Sequence, residues 1–147
     1  MKDVSLADLS SILEMAAANI KVEADLAVLA IATEIRESAK EKIGHYQGAS
    51  HGFAAWAPLT QATMDQRVRL GYSANNPLER SGELRDSISM RVDGNGAIIG
   101  TPMDIGLYME NGTEKSPPRP YLGPAAAEVS DRLGEIFSPH VRKAFKR

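Results

Sequence analysis

Cysteine is absent from the 147 residues. That excludes a disulfide framework, a thiolate nucleophile and any Cys-ligated zinc or iron–sulfur site, and it fits a chain kept in a reducing compartment. Large aromatics are scarce: three Phe, four Tyr and one Trp leave the core to aliphatic side chains. No apolar run approaches the roughly 20 residues that cross a bilayer, so membrane insertion is not expected. Charge of one sign is lacking too. A formal net charge of -2 gives none of the global pull toward nucleic acid that strongly basic domains have, so a partner must be recognised by shape and local contacts. The opening Met1-Lys2-Asp3-Val4-Ser5 carries an acid early and no apolar stretch behind a basic one. It does not read as a signal peptide, and the expected compartment is the cytoplasm.

Catalytic patterns are missing as well. His45, His51 and His140 have no carboxylate at metal-ligand spacing, and HExxH, GxSxG and a Walker lysine do not occur. Gly94-Asn95-Gly96 lacks the following glycine and helix start of a phosphate loop. No cofactor or metal is expected, and the chain reads as a non-enzymatic protein.

What is present is an ordinary globular composition, 43% hydrophobic and 24% charged, at a length usual for one domain spanning 1–147. Residues 5–43 predict one long helix, because Leu6, Leu9, Leu13, Ala16, Ile20, Ala24, Ala27, Ile31 and Ile35 step by three and four. Ser5 and Asp8 form a capping box, Lys40 and Lys42 suit the C-terminal dipole, and Gly44 terminates the helix. Val22, Leu26 and Leu29 form a second row, expected to widen the buried face in the latter half. Such a helix spans roughly 58 Å at 1.5 Å per residue, whereas a domain of this size is about 40 Å across. Either it breaks near Asn19, or its first turns project and bury Leu6, Leu9 and Leu13 between subunits.

Residues 44–58 predict a long surface loop anchored by Phe53 and Trp56. A short helix follows over 59–70, with Thr60 as N-cap, Met64 and Val68 inward and Gly71 as stop. Ser81 to Asp86 fit one helical turn. Ile88, Met90 and Val92 then alternate with polar residues up to the turn Asp93-Gly94-Asn95-Gly96, and Ala97 to Gly100 return as the partner strand. Helical spacing reappears at Ile105, Tyr108 and Met109, stopped by Gly112. The prolines of Ser116-Pro117-Pro118-Arg119-Pro120 fix an extended corner. Tyr121 and Leu122 suit a short strand. A C-terminal helix over 124–147 then carries Val129, Leu133, Ile136 and Phe137 inward, with a kink or new start at Ser138-Pro139. The fold class is α+β, with a long N-terminal helix and a C-terminal helix packed on a small antiparallel sheet containing the hairpin.

Three segments taken together carry a resemblance. They are Trp56-Ala57-Pro58-Leu59 with Thr63; Pro77-Leu78 through Ser81-Gly82-Glu83-Leu84-Arg85-Asp86-Ser87-Ile88; and Ile99-Gly100-Thr101, Tyr108, Glu110-Asn111-Gly112-Thr113 and Pro118-Arg119-Pro120-Tyr121-Leu122-Gly123-Pro124-Ala125. In this order they resemble the tail-completion, or neck, proteins of tailed bacteriophages and prophages, including the related Mu-type virion morphogenesis proteins. The resemblance covers about Trp56 to Ala125 and gives the segment 59–125 as the family-like core.

It implies a structural, non-enzymatic virion protein made in the host cytoplasm. Such a protein joins the end of the tail to the head connector, as a sixfold ring around the DNA channel. Its partners would be copies of itself, the tail-tube protein and the head-closure proteins, with DNA passing through unread. Trp56, Leu59, Gly82, Leu84, Arg85, Tyr108, Glu110, Gly112, Arg119, Pro120 and Tyr121 are the candidate structural or interface residues, and a pairing of Arg119 with Glu110 would tie the proline corner to the short helix. Relatives tend to carry Phe where this chain has Tyr121. The rival reading is a small nucleic-acid-binding protein, supported by Arg67 and Arg69 and by the basic end Arg142, Lys143, Lys146 and Arg147, which equally matches a helix dipole.

Overall fold

A computed structural model describes residues 5–146; Met1 to Val4 and Arg147, at the two ends considered above, lie outside the described residues. Helix α1 runs unbroken over Leu6–Lys42, so the expected alternative of a break near Asn19 is not taken. The capping box forms as expected: the Ser5 hydroxyl accepts from Asp8 N–H at 3.1 Å, and the Asp8 carboxylate accepts from Ser5 N–H at 3.1 Å. The Ser5 hydroxyl also donates to the Asp8 carboxylate at 2.6 Å, and this bond, with that from Ser5 N–H, holds the Asp8 carboxyl below its usual range. At the other end Gly44 takes φ +95°, and its N–H donates to Pro77 O at 2.8 Å. A left-handed residue there costs glycine nothing.

Helices α2 (Gln61–Arg69) and α3 (Glu83–Ser87) precede strands β1 (Ser89–Asp93) and β2 (Gly96–Gly100), and α4 (Asp104–Asn111) follows them; α5 (Leu122–Asp131) and α6 (Leu133–Ala144) close the chain. The hairpin has the expected turn. Met90 faces Ile99, Val92 faces Ala97 and Asp93 faces Gly96. Gly94 adopts φ +59° whereas Asn95 does not have positive φ, the signs of a type II′ turn. Thr60 caps α2 as expected, accepting from Thr63 N–H.

The C-terminal helices run antiparallel along α1. As the chain advances from Glu128 to Arg132 to His140, its partners on α1 step back from Lys42 and Ser38 to Glu34 to Glu23, at 2.6, 3.0, 3.4 and 2.8 Å respectively. His140 is therefore held by Glu23 across the helix interface. His51 likewise meets Asp131 at 2.7 Å. The buried face of α1 is made of Ala27, Ala32 and Ala39. Helices α5 and α6 pack on the side of α1 that carries Glu23, Glu34, Ser38 and Lys42, and Val22, Leu26 and Leu29 stay on the open side, at 56%, 44% and 41% exposure. The expected second buried row is thus corrected.

Other expectations are corrected for local reasons. Val68 points outward and Arg67 inward, because the Arg67 guanidinium reaches the carbonyls of Asn76 and Glu79. Tyr121 and Leu122 form no strand: the N–H groups of Tyr121, Leu122 and Gly123 turn to the Glu110 carboxylate at 2.8, 3.0 and 2.7 Å and begin α5. The last helix is interrupted at Arg132, where φ and ψ are -107° and 7°, and not at Pro139, which lies inside α6. Leu133 and Phe137 remain partly open beside α1, at 38% and 45% exposure. The core itself gathers Ala39 from α1, Ile43 just after it, Trp56, Leu84, Ile88, Tyr121 and Ala125, where α1, α3 and α5 meet.

Candidate interaction surfaces

The loop before α2, the end of α4 and the proline corner are locked into one unit by residues of the family-like core. Trp56 Nε1 donates to Pro120 O at 3.0 Å, with both residues buried. Arg119 Nε and Nη2 donate to Ala57 O at 3.1 and 2.9 Å, and Nη2 also reaches Pro58 O at 3.3 Å. Its N–H donates to Met109 O at 2.7 Å. The pairing of Arg119 with Glu110 does not form. Instead Glu110 receives the first N–H groups of α5, a stronger use of a carboxylate at a helix start that has no side-chain cap of its own.

Glycine is required twice here. Gly112 holds φ +75°, and a Cβ would sit 2.8 Å from Pro118 N; Gly123 packs so closely on Phe53 that a Cβ would lie 2.6 Å from its ring. Phe53 is thereby an anchor of the loop, as expected, and the loop is braced further by the bridge between Ser50 and Phe53. Tyr121 is fully buried. Burial, reinforced by Glu110, pushes its phenol up to about 12.

Leu84 lies in the core and Gly82 starts α3 at φ +86°. Arg85 pairs with Glu79 at 2.6 Å. Tyr108 faces outward at 48% exposure, and Leu59 N–H donates to the Tyr46 hydroxyl at 3.0 Å. The candidate residues thus divide: Trp56, Glu110, Gly112, Pro120 and Tyr121 hold the fold, while Leu59, Gly82, Leu84 and Arg119 also line an open groove of about 860 Å³.

That groove runs between the start of α2, the Arg80–Leu84 segment, α4 and the Lys115–Pro117 corner. Its lining is apolar at Leu59, Leu78, Leu84, Ile105 and Met109 and cationic at Arg67, Arg80, Lys115 and Arg119, against the single acid Glu83. Arg67 and Arg119 are buried and donate only to main-chain carbonyls among the described residues, and Arg80 stacks on the Tyr72 ring at 5.6 Å. Their charges are therefore not cancelled by a carboxylate. Burial and the neighbouring guanidiniums of Arg80 and Arg119 lower the pKa of Arg67, so these groups share one positive field. Sequence spacing did not reveal the groove, whose walls come from four separate segments.

The second surface is the start of α1. Leu6, Leu9 and Leu13 are 86%, 46% and 61% exposed, and Ile12 and Met15 stand open beside them. The antiparallel packing explains this: the end of α6, at Ala144 and Phe145, borders Ile20 and Ala24, so the earlier turns of α1 pass beyond it. Among the described residues no group of three or more His, Cys, Asp or Glu side chains is placed to hold a metal ion, and no helix is long and apolar enough to cross a membrane. Residues 4–141 match the model of the phage virion morphogenesis family. No curated protein and no solved structure matches the chain.

Proposed function

Because this chain belongs to the phage virion morphogenesis family, we propose that it acts as a structural, non-enzymatic neck subunit that completes the tail end and joins it to the head connector as a ring. The observation that carries this reading is the projecting start of α1. Leu6, Leu9 and Leu13 line one face of it and stand in water in the isolated chain, the state in which a contiguous apolar surface marks an interaction site. In the ring, copies of the chain cover that face, and the tail-tube and head-closure proteins meet the two rims around the DNA channel. The locked unit of loop, α4 and proline corner gives such a ring a rigid wall.

The rival nucleic-acid reading loses one of its supports, since Arg67 is buried and committed to the carbonyls of Asn76 and Glu79. The test is electron microscopy of lysates from a phage lacking the gene. Filled heads and complete tails that fail to join are the expected outcome. Joined virions would end the neck reading, and empty heads would move the protein upstream to packaging.

A further inference from the structure

The exposed start of α1 and the groove lie at opposite ends of the molecule. The groove surrounds the core near Ile43, where Gly44 N–H meets Pro77 O and Trp56 closes on Pro120. Leu13 is 30 residues earlier on the same unbroken helix, roughly 45 Å away at 1.5 Å per residue. A rigid helix cannot fold back over that distance, so the tip of a chain does not reach its own groove.

The two surfaces are nevertheless matched in chemistry. Leu6, Leu9 and Leu13 stand at i, i+3 and i+7, the spacing with which an amphipathic helix sets anchors into an apolar groove. Between Ser5 and Ile20 the tip carries Asp8 and Glu14 and no Lys or Arg. The groove is lined by the apolar Leu59, Leu78, Leu84, Ile105 and Met109 and by an excess of uncancelled cations from Arg67, Arg80, Lys115 and Arg119. Its volume of about 860 Å³ lies in the range of concave sites that enclose side-chain-sized ligands.

Resting on the ring reading above, we propose that the first turns of α1 of one copy dock in the groove of the next copy, Leu6, Leu9 and Leu13 against its apolar lining and Asp8 and Glu14 toward the exposed Arg80 and Lys115. Donor and acceptor surfaces differ, so the contact is head-to-tail. A contact of that kind repeats from copy to copy and either closes a ring or grows a filament.

Sedimentation velocity of the full chain separates this from the alternatives. The tip variant is Leu9→Asp with Leu13→Asp, and the groove variant is Arg80→Glu with Lys115→Glu, all at exposed positions; Ile105→Asp tests the groove wall independently of its charge. Circular dichroism verifies that each variant is folded. Each variant alone is expected to self-associate about tenfold or more weakly than the unaltered chain. An equimolar mixture of tip and groove variants is expected to form a one-to-one dimer and nothing larger, because it holds one intact tip and one intact groove per pair.

Groove variants that assemble like the unaltered chain, while the tip variant does not, would replace this contact with tip-to-tip pairing and leave the neck reading standing. A mixture that stays monomeric, or an unaltered chain that never self-associates, would overturn the proposal. Head–tail joining is decided separately by the lysate micrographs.

Discussion

At the start of α5 three successive main-chain N–H groups point at one carboxylate from another helix. Helix starts leave such donors without partners, and Tyr121, in the N-cap position, supplies no side-chain bond. Glu110 thus does from a distance what a capping residue does locally, and it fixes the corner that seats Tyr121 in the core. Hydrogen bonds to a charged group contribute about 1.5 to 3 kcal/mol. Glu110→Ala is therefore expected to lower stability in urea denaturation by roughly 2 to 3 kcal/mol, and Glu110→Gln, which keeps a neutral acceptor, by about half of that. Equal stability of the alanine variant and the unaltered chain would remove the carboxylate from this role. Glycine at 106 has a comparable local necessity: a Cβ there would run into the Thr101 methyl and lie 2.7 Å from the Tyr121 hydroxyl.

At the scale of elements, α1 is one rod with two fates. From about Ile20 onward it is covered by α5, α6 and the hairpin, through alanines and through polar ties such as Lys42 to Glu128 at 2.6 Å. Burial alone would raise the Glu128 carboxyl, but the bonds from Lys42 and Ser38 outweigh it and hold the group below its ordinary value. A carboxyl held low in the folded state stabilises fully above its ordinary pKa, and that contribution is lost as pH falls through the lowered one. Glu128→Gln is accordingly expected to be less stable than the unaltered chain at neutral pH and indistinguishable from it in strong acid. The side chain is 39% exposed, so solvent screening limits the difference to at most about 1 kcal/mol. Urea midpoints across that pH range would show it, and a gap that persists in acid would point to packing instead. Before Ile20 the helix has no cover. Deleting residues 1–18 is expected to abolish self-association while circular dichroism and thermal unfolding show a folded remainder. Global unfolding of the shortened chain would place those turns in the core.

The whole molecule is consequently longer than its mass suggests. A compact chain of this length has a radius of gyration of about 15 Å, whereas α1 alone, at 37 residues, extends roughly 55 Å. Small-angle scattering of the dilute monomer should give a radius clearly above the compact value, with vector lengths reaching beyond about 55 Å. A compact value would mean that the tip folds onto the body in solution. The elongation places the apolar tip and the cationic groove at opposite ends, the arrangement a head-to-tail assembly needs and an intramolecular contact cannot use.

Local chemistry determined a good deal of this protein. The capping box at Ser5 and Asp8, the hairpin at Asp93 to Gly96 and the short helix ending at Gly112 depend on neighbours within a few residues, so spacing and turn residues were enough. The length of α1 against the width of a small domain foreshadowed the exposed Leu6, Leu9 and Leu13. Partner choice was beyond local pattern. Arg119 turned to the carbonyls of Ala57 and Pro58 because the loop 62 residues earlier lies closer than Glu110 does. Val22, Leu26 and Leu29 stayed open because α5 and α6 pack on the side of α1 that carries Glu23, Glu34, Ser38 and Lys42. The groove joins segments far apart in the chain, and only tertiary packing, which decides which surfaces meet, could bring its apolar side chains and its uncancelled arginines together.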